Sequence, residues 1–143
     1  MKQIRYEVTV DINAPIDAVT ALFVNRQTMP LWEEGLTEII DTKGKLFEVK
    51  SQGRLIFEFN GARMAMDVKV IDADLPSSIT IMYEMGLAHN RCRNYFSVIS
   101  EHTRWTMKVH FRFDDDNTYD RRRFIAKTTA GMIQFKKFAE AQY

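Results

Sequence analysis

A chain of 143 residues, 45% hydrophobic and 27% charged, has the composition of a soluble globular protein and the length for one domain with its own core. Its net charge of +1 supplies no global attraction to nucleic acid or to an anionic membrane, and its one cysteine, Cys92, excludes an intrachain disulfide. No apolar run approaches the ~20 residues that span a bilayer, and residues 1–12 alternate in polarity instead of forming a signal-peptide core, so a cytoplasmic location is expected.

In chain order, Ile4, Tyr6, Val8, Val10 and Ile12 alternate with Arg5, Glu7, Thr9 and Asp11, the period of a half-buried strand. Asn13, Ala14 and Pro15 stop it and open a helix to about Val24, whose buried side is Val19, Leu22 and Phe23. A second short helix is expected from Met29 to Glu34, with Pro30 in its first turn, Trp32 on its apolar side and Gly35 ending it. Leu36 to Asp41 reads as a strand, whereas Thr42 to Gly53 carries turn signals at Lys43-Gly44 and Gln52-Gly53 and no clear strand.

Alternation returns at Arg54 to Asn60, where Leu55, Phe57 and Phe59 share a face. Asn60-Gly61 then marks a type I′ hairpin, because that turn needs positive φ at both central positions. The turn fixes the register: Phe59 opposes Ala62, Phe57 opposes Met64, and Leu55 opposes Met66. Met64, Met66, Val68 and Val70 point inward on the next strand, and Asp74 to Ser78, with Pro76, turns the chain. Ile79, Ile81, Tyr83 and Met85 follow on the inner face, then a turn over Gly86 to His89. Cys92, Asn94, Phe96 and Val98 point inward next, Ser100-Glu101 turns again, and Trp105, Met107, Val109, Phe111 and Phe113 complete the inner face.

Thr118 to Tyr143 reads as one long amphipathic helix capped by Asn117 or Thr118. Phe124, Thr128, Gly131, Met132, Phe135, Phe138 and Ala139 form its apolar stripe, with Lys127, Lys136, Lys137 and Glu140 on the flanks and back. Arg121 to Arg123 oppose the helix dipole, and Ile133 is an apolar exception on the polar side. Such a helix needs a sheet to cover it. Strands of about ten residues and a helix of about 22 residues each run roughly 33 Å, so the helix can lie along the whole sheet. Seven strands make a sheet roughly 30 Å wide, against ~10–12 Å for one helix. The sheet must therefore curl, and the gap must hold large side chains or a cavity.

The order strand, two short helices, consecutive antiparallel strands and closing helix resembles the START-like, Bet v 1-like superfamily (SRPBCC, polyketide cyclase/dehydrase and lipid transport). The resemblance is carried by Ile12-Asn13-Ala14-Pro15-Ile16-Asp17 at the first strand-to-helix junction, by Trp32, by Val68 to Pro76, and by the closing helix. Thr20 departs from the pattern, since many relatives carry an aromatic near there. The resemblance implies an α+β helix-grip fold, with a curved antiparallel sheet of about seven strands wrapped around the C-terminal helix. It also implies a cavity for hydrophobic ligands and functions ranging from lipid or quinone binding to cyclisation and co-chaperone activity.

Five methionines, Met64, Met66, Met85, Met107 and Met132, fall on inner faces. Unbranched, polarizable side chains line adaptable apolar pockets and also fill irregular cores. Tyr83 and Asn94 point inward too, Tyr83 beside Cys92 or Asn94 and Asn94 beside Met107. They form either a polar floor for a ligand carbonyl or hydroxyl, or a mutually satisfied buried pair. With Trp32, Phe57, Thr128 and Phe135 these residues are the candidate ligand-binding set. The inner strand face carries no carboxylate, lysine or histidine, so no catalytic residue and no cofactor is assigned.

His89 and Cys92 have a loose metal-like spacing that no second pair completes, so no metal is expected. Arg91, Arg93, Arg104, Lys108 and Arg112 share an outer face and read as solvated charge, without the aromatic platform a nucleic-acid site uses. Gly131 is expected to allow packing against the first helix or, alternatively, close backbone approach to a strand or ligand. The expected function is binding of a small hydrophobic molecule (lipid, quinone or polyketide-like) between sheet and last helix. The alternatives are a cyclase- or dehydratase-like enzyme on the same fold, or a co-chaperone-type interaction module using the outer strip. Nothing in the sequence sets the oligomeric state.

Overall fold

The computed structural model describes residues 2–143. Its elements are β1 (Lys2–Ile12), α1 (Ile16–Phe23), β2 (Leu36–Lys43), β3 (Gln52–Phe59), β4 (Ala62–Asp74), β5 (Ser78–Met85), β6 (Ala88–Ile99), β7 (His102–Phe113) and α2 (Arg121–Ala141). The strands form one antiparallel sheet in the order β1-β7-β6-β5-β4-β3-β2. The curved sheet grips α2, and α1 with the following turn spans from one sheet edge to the other, an α+β helix-grip arrangement.

The Asn60-Gly61 turn does what its residues dictate: φ is 51° at Asn60 and 82° at Gly61. The register that follows pairs Phe59 with Ala62, Phe57 with Met64 and Leu55 with Met66. Four expectations need correction. The second short helix is a single 3₁₀ turn, Met29–Leu31, closed by the Trp32 amide donating to the Met29 carbonyl at 3.2 Å. Pro30 and Gly35 leave too few residues between them to propagate an α-helix. The turn Gly86 to His89 shrinks to Gly86-Leu87, because Ala88 and His89 already pair with Met85 and Glu84.

The long helix is capped by Asp120, not Asn117 or Thr118; the Asp120 carboxylate accepts the Arg122 amide at 3.0 Å. The fourth correction concerns the ambiguous segment before β3. It supplies buried core, Leu46 and Phe47, and the Leu46 amide is held by the Asp41 carboxylate at 2.8 Å.

The densest part of the core lies where α1 and the C-terminal half of α2 meet β6 and β7. Phe23, Trp105 and Phe135 meet edge to face, with ring centroids 5.3 to 5.6 Å apart, and Phe96 stacks on Trp105 at 5.9 Å. Ile12, Val19, Met132 and Ala139 fill the space around them. Ile133 is exposed on the other side of α2, and no contact in the structure accounts for it. Along β1 the helix is tied by polar contacts. Lys136 Nζ donates to the Asp11 carbonyl and to Glu140, both at 2.7 Å, and Glu140 accepts the Asn13 amide at 2.8 Å. Nearer the start of α2, Tyr6 and Thr128 share a hydrogen bond of 2.7 Å.

Candidate functional site

The N-terminal half of α2 does not close on the sheet. Between them lies a partly open cavity of about 380 Å³, within the size range of small-molecule pockets. Phe57 on β3, Met66 on β4 and Tyr83 and Met85 on β5 form one wall. Asn90 and Cys92 on β6 with Met107 and Phe111 on β7 form the floor. Thr128, Gly131 and Met132 of α2 roof it, and Trp32 and Glu33 stand at the end plugged by the 3₁₀ turn. The strand residues reach the cavity because alternation turns every second side chain of a curved sheet towards its concave face.

Eight of the eleven sequence-predicted site residues therefore lie together: Trp32, Phe57, Met66, Tyr83, Met85, Met107, Thr128 and Met132. Met64, Asn94 and Phe135 do not line the cavity. Met64 is 37% exposed because the β4–β5 ladder begins at Asp67 and Glu84, which leaves the first residues of β4 overhanging β5. Met85, though it lines the cavity, is 41% exposed at the mouth. Val98, expected inward, is 60% exposed beside the Ser100-Glu101 turn, where nothing covers it.

Asn94 is fully buried, opposite Ile79 and Met107. Tyr83 instead faces Val68 and Asn90, so the proposed Tyr83–Asn94 pair does not form. Asn94 accepts the Trp105 indole N–H at 3.0 Å and donates to the Ile79 carbonyl at 3.2 Å. It is a fastener of the packed core, satisfied without any ligand. Phe135 is likewise core, in edge-to-face contact with Trp32 at 4.7 Å. Gly131 is not a close-packing glycine, since a Cβ there would meet nothing within 4 Å.

The sequence reading missed a carboxylate in this site. Glu33, half-buried at the cavity wall just after the 3₁₀ turn, donates its amide to the Met29 carbonyl at 2.9 Å, a bond that fixes its position. Burial pushes its carboxyl up to about 7, against the opposing pull of the Lys127 charge across on α2. No hydrogen bond or ion pair holds the Glu33 carboxyl, the Tyr83 hydroxyl or Lys127 among the described residues, although all three line the cavity. Tyr83 is raised by burial, then by Cys92 and by the nearby Glu33 charge. Beside Glu33, the Trp32 indole N–H is buried without an acceptor among the described residues. The available signal was an acidic residue next to a tryptophan in a segment too short to point all its side chains outward.

Other polar groups are spent elsewhere. Burial pushes the Cys92 thiol up to about 12, leaving it protonated and unreactive at neutral pH. His89 lies on the opposite sheet face from Cys92, between Asp114 at 2.6 Å and Glu84 at 2.5 Å, which raise its pKa in that order. On the outer strip Arg104 is paired with Asp11 at 2.8 Å and Lys108 sits over the Tyr95 ring. No group of three or more metal-ligating side chains occurs among the described residues, and no helix is long and apolar enough to cross a membrane.

No family model and no curated protein matches the sequence. Solved structures do match. Ara h 8.0201 superposes with a TM-score of 0.82 at 10% identity, covering 98% of this chain and 99% of that one. The fold is of the Bet v 1-like type. The ginseng major latex-like protein 151 from Panax ginseng matches at a TM-score of 0.76 and 13% identity, over 96% of this chain and 97% of its own. The di-domain ARO/CYC StfQ of the steffimycin biosynthetic pathway matches at 0.76 and 11% identity, over 98% of this chain and 51% of its own. At these identities the shared property is the Bet v 1-like fold itself.

Proposed function

We propose that the protein binds a small hydrophobic molecule, of lipid, quinone or flat polyketide-like character, between the sheet and the N-terminal half of α2. The observation that carries this reading is the cavity of about 380 Å³, walled by methionine and aromatic side chains and interrupted by few polar groups. A void of that size and lining has no packing rationale, because interiors are otherwise filled close to the density of organic crystals. Methionines suit the role, since they adapt to the shape of what enters. The test is titration with fatty alcohols, quinones and fused-ring aromatics while following tryptophan emission, as Trp32 and Trp105 both border the cavity. Saturable quenching by at least one class is expected. A flat response to the whole panel would refute the reading.

Glu33 favours a second reading, a cyclase- or dehydratase-like enzyme on the same scaffold. A carboxyl with a pKa of about 7 is matched to proton transfer at neutral pH, and this one borders the ligand space. StfQ, an ARO/CYC, has the same fold. Turnover of an enolisable ketone, followed by hydrogen–deuterium exchange at its α-carbon, separates an enzyme from a carrier. An enzyme loses that exchange on Glu33→Gln.

A further inference from the structure

We propose that the cavity selects ligands bearing a carbonyl oxygen, held by the Tyr83 hydroxyl and the protonated carboxyl of Glu33 as two convergent donors. The inference rests on the binding reading above and adds the chemistry of the ligand's polar end. Its basis is an inventory of which cavity groups are already satisfied. Thr128 shares its hydroxyl with Tyr6 at 2.7 Å, and the side-chain oxygen of Asn90, though not its amide nitrogen, is engaged by the Cys92 thiol at 3.5 Å. Asn94, deeper in the core, is used up by Trp105 and Ile79. Tyr83 and Glu33 both border the cavity, yet neither side chain has a hydrogen-bond partner among the described residues. They lie close enough for a charge on Glu33 to raise the Tyr83 phenol further. With Lys127, also unpaired among the described residues, and the Trp32 indole N–H beside Glu33, they form an open polar cluster in a mostly apolar wall, unfavourable in the empty protein unless water or a ligand completes it.

The protonation states decide what completes it. Tyr83 stays a phenol throughout the neutral range, because burial raises it well above its ordinary value of 10.0. Protonated, the Glu33 carboxyl has an O–H to donate; ionised, it can only accept. Burial favours its protonated form, and Lys127 on α2 opposes this. The groups facing Glu33 are thus Lys127 from α2 and Tyr83 from β5, with the neutral Cys92 thiol of β6 behind Tyr83. With Glu33 protonated, the wall presents two donors and suits an acceptor with two lone pairs, which a ketone, quinone or lactone oxygen has and a hydrocarbon or an ammonium group lacks. With Glu33 ionised, one donor is lost and a carboxylate opposes the carbonyl oxygen. Carbonyl selectivity should therefore fall as pH rises through about 7.

The test uses a matched pair of shape-similar neutral probes, acetylnaphthalene and ethylnaphthalene, titrated calorimetrically into the protein at about pH 5.5 and about pH 8.5, either side of the Glu33 transition. The readout is the ratio of the two affinities. The ketone is expected to bind about five- to tenfold tighter than the hydrocarbon at the lower pH, the worth of one to two net hydrogen bonds. That ratio should approach unity at the higher pH. Glu33→Gln, which keeps an N–H donor and cannot ionise, should hold the ratio high at both pH values, and Tyr83→Phe should lower it at the lower pH. Infrared spectra of the bound ketone give an independent readout, because two donors shift the carbonyl stretch to lower frequency.

If ethylnaphthalene binds and the ratio is near one at both pH values, the carbonyl proposal is overturned and the cavity reading survives. If neither probe binds, both fall. A pH dependence that persists unchanged in Glu33→Gln would also overturn the assignment, because the titrating group would then lie elsewhere.

Discussion

The two halves of α2 face the same sheet and meet it differently. From Met132 to Ala139 the helix is pressed into a solid core, with Phe135 fully buried among Phe23, Trp32 and Trp105. From Phe124 to Gly131 it bridges the cavity instead, touching aromatic neighbours at its start, where Phe124 meets Phe111 at 4.9 Å. The difference follows from side-chain volume and from α1. Large rings and α1 fill the width that one helix cannot cover at the first end. At the second end the helix offers Thr128 and Gly131, and no element takes the place of α1. One half holds the fold together, and the other leaves room.

The largest way to break the solid half is Phe135→Ala. It removes the ring that joins α2 to Phe23 and Trp105, and a loss of about 3–5 kcal/mol is expected in chemical denaturation. Asn94→Leu comes next. It is nearly isosteric but leaves the Trp105 indole N–H without its acceptor in a dry core, a cost of about 1–3 kcal/mol. Tryptophan emission should shift as well. A cost near zero would mean that Trp105 finds another acceptor, and Asn94 would then no longer count as the fastener.

The open half is sharpened by pH. Glu33 titrates at an ordinary 4.5 when unfolded and at about 7 when folded. Between those values the folded state holds more protons than the unfolded one, so this group's contribution is fully present below the unfolded pKa and is lost as pH rises through the folded pKa. The midpoint of denaturation should therefore decline between about pH 4.5 and about 7 relative to Glu33→Gln, which removes the titration. Parallel profiles for the two proteins would place Glu33 in solvent. His89 cannot imitate the signal. Its pKa is raised on the outer face, so its own stabilising share is complete below 6.5 and fades only above that.

Much of the fold was legible because strand alternation, the Asn60-Gly61 turn and the helix stripe are local signals. Each one fixes a face without knowledge of the rest of the chain. The site was legible only where alternation and cover coincide. Met66, Tyr83 and Met107 have both, and they border the cavity. Met64 has the alternation, but the β5 partner that would cover it begins too late along the sheet. Glu33 escaped for the opposite reason: it lies in the bend just after the one-turn 3₁₀ segment, with no periodicity to read, and the groups it senses, Lys127 and Tyr83, are far away in sequence. The Trp105–Asn94 hydrogen bond was hidden because Asn94 was read against Tyr83 and Met107, whereas its partner Trp105 lies diagonally across the β6–β7 ladder.

The smallest prediction, Gly131→Ala, has the opposite sign to the first and contrasts the two halves most directly. Glycine inside a helix is unfavourable by ~1 kcal/mol relative to alanine, since it loses more backbone freedom on folding. In the solid half, a glycine with such a cost would be kept to let another backbone approach. Here a Cβ would meet no atom within 4 Å, so the methyl group enters empty space and nothing offsets the gain in helix propensity. Gly131→Ala should therefore raise stability by roughly 0.5–1 kcal/mol while leaving ligand affinity almost unchanged. Gly131→Phe should compete with the ligand for the same volume and weaken binding without unfolding the protein. If alanine destabilises instead, the helix must lie closer to the sheet than the structure has it, and the contrast between its two halves disappears.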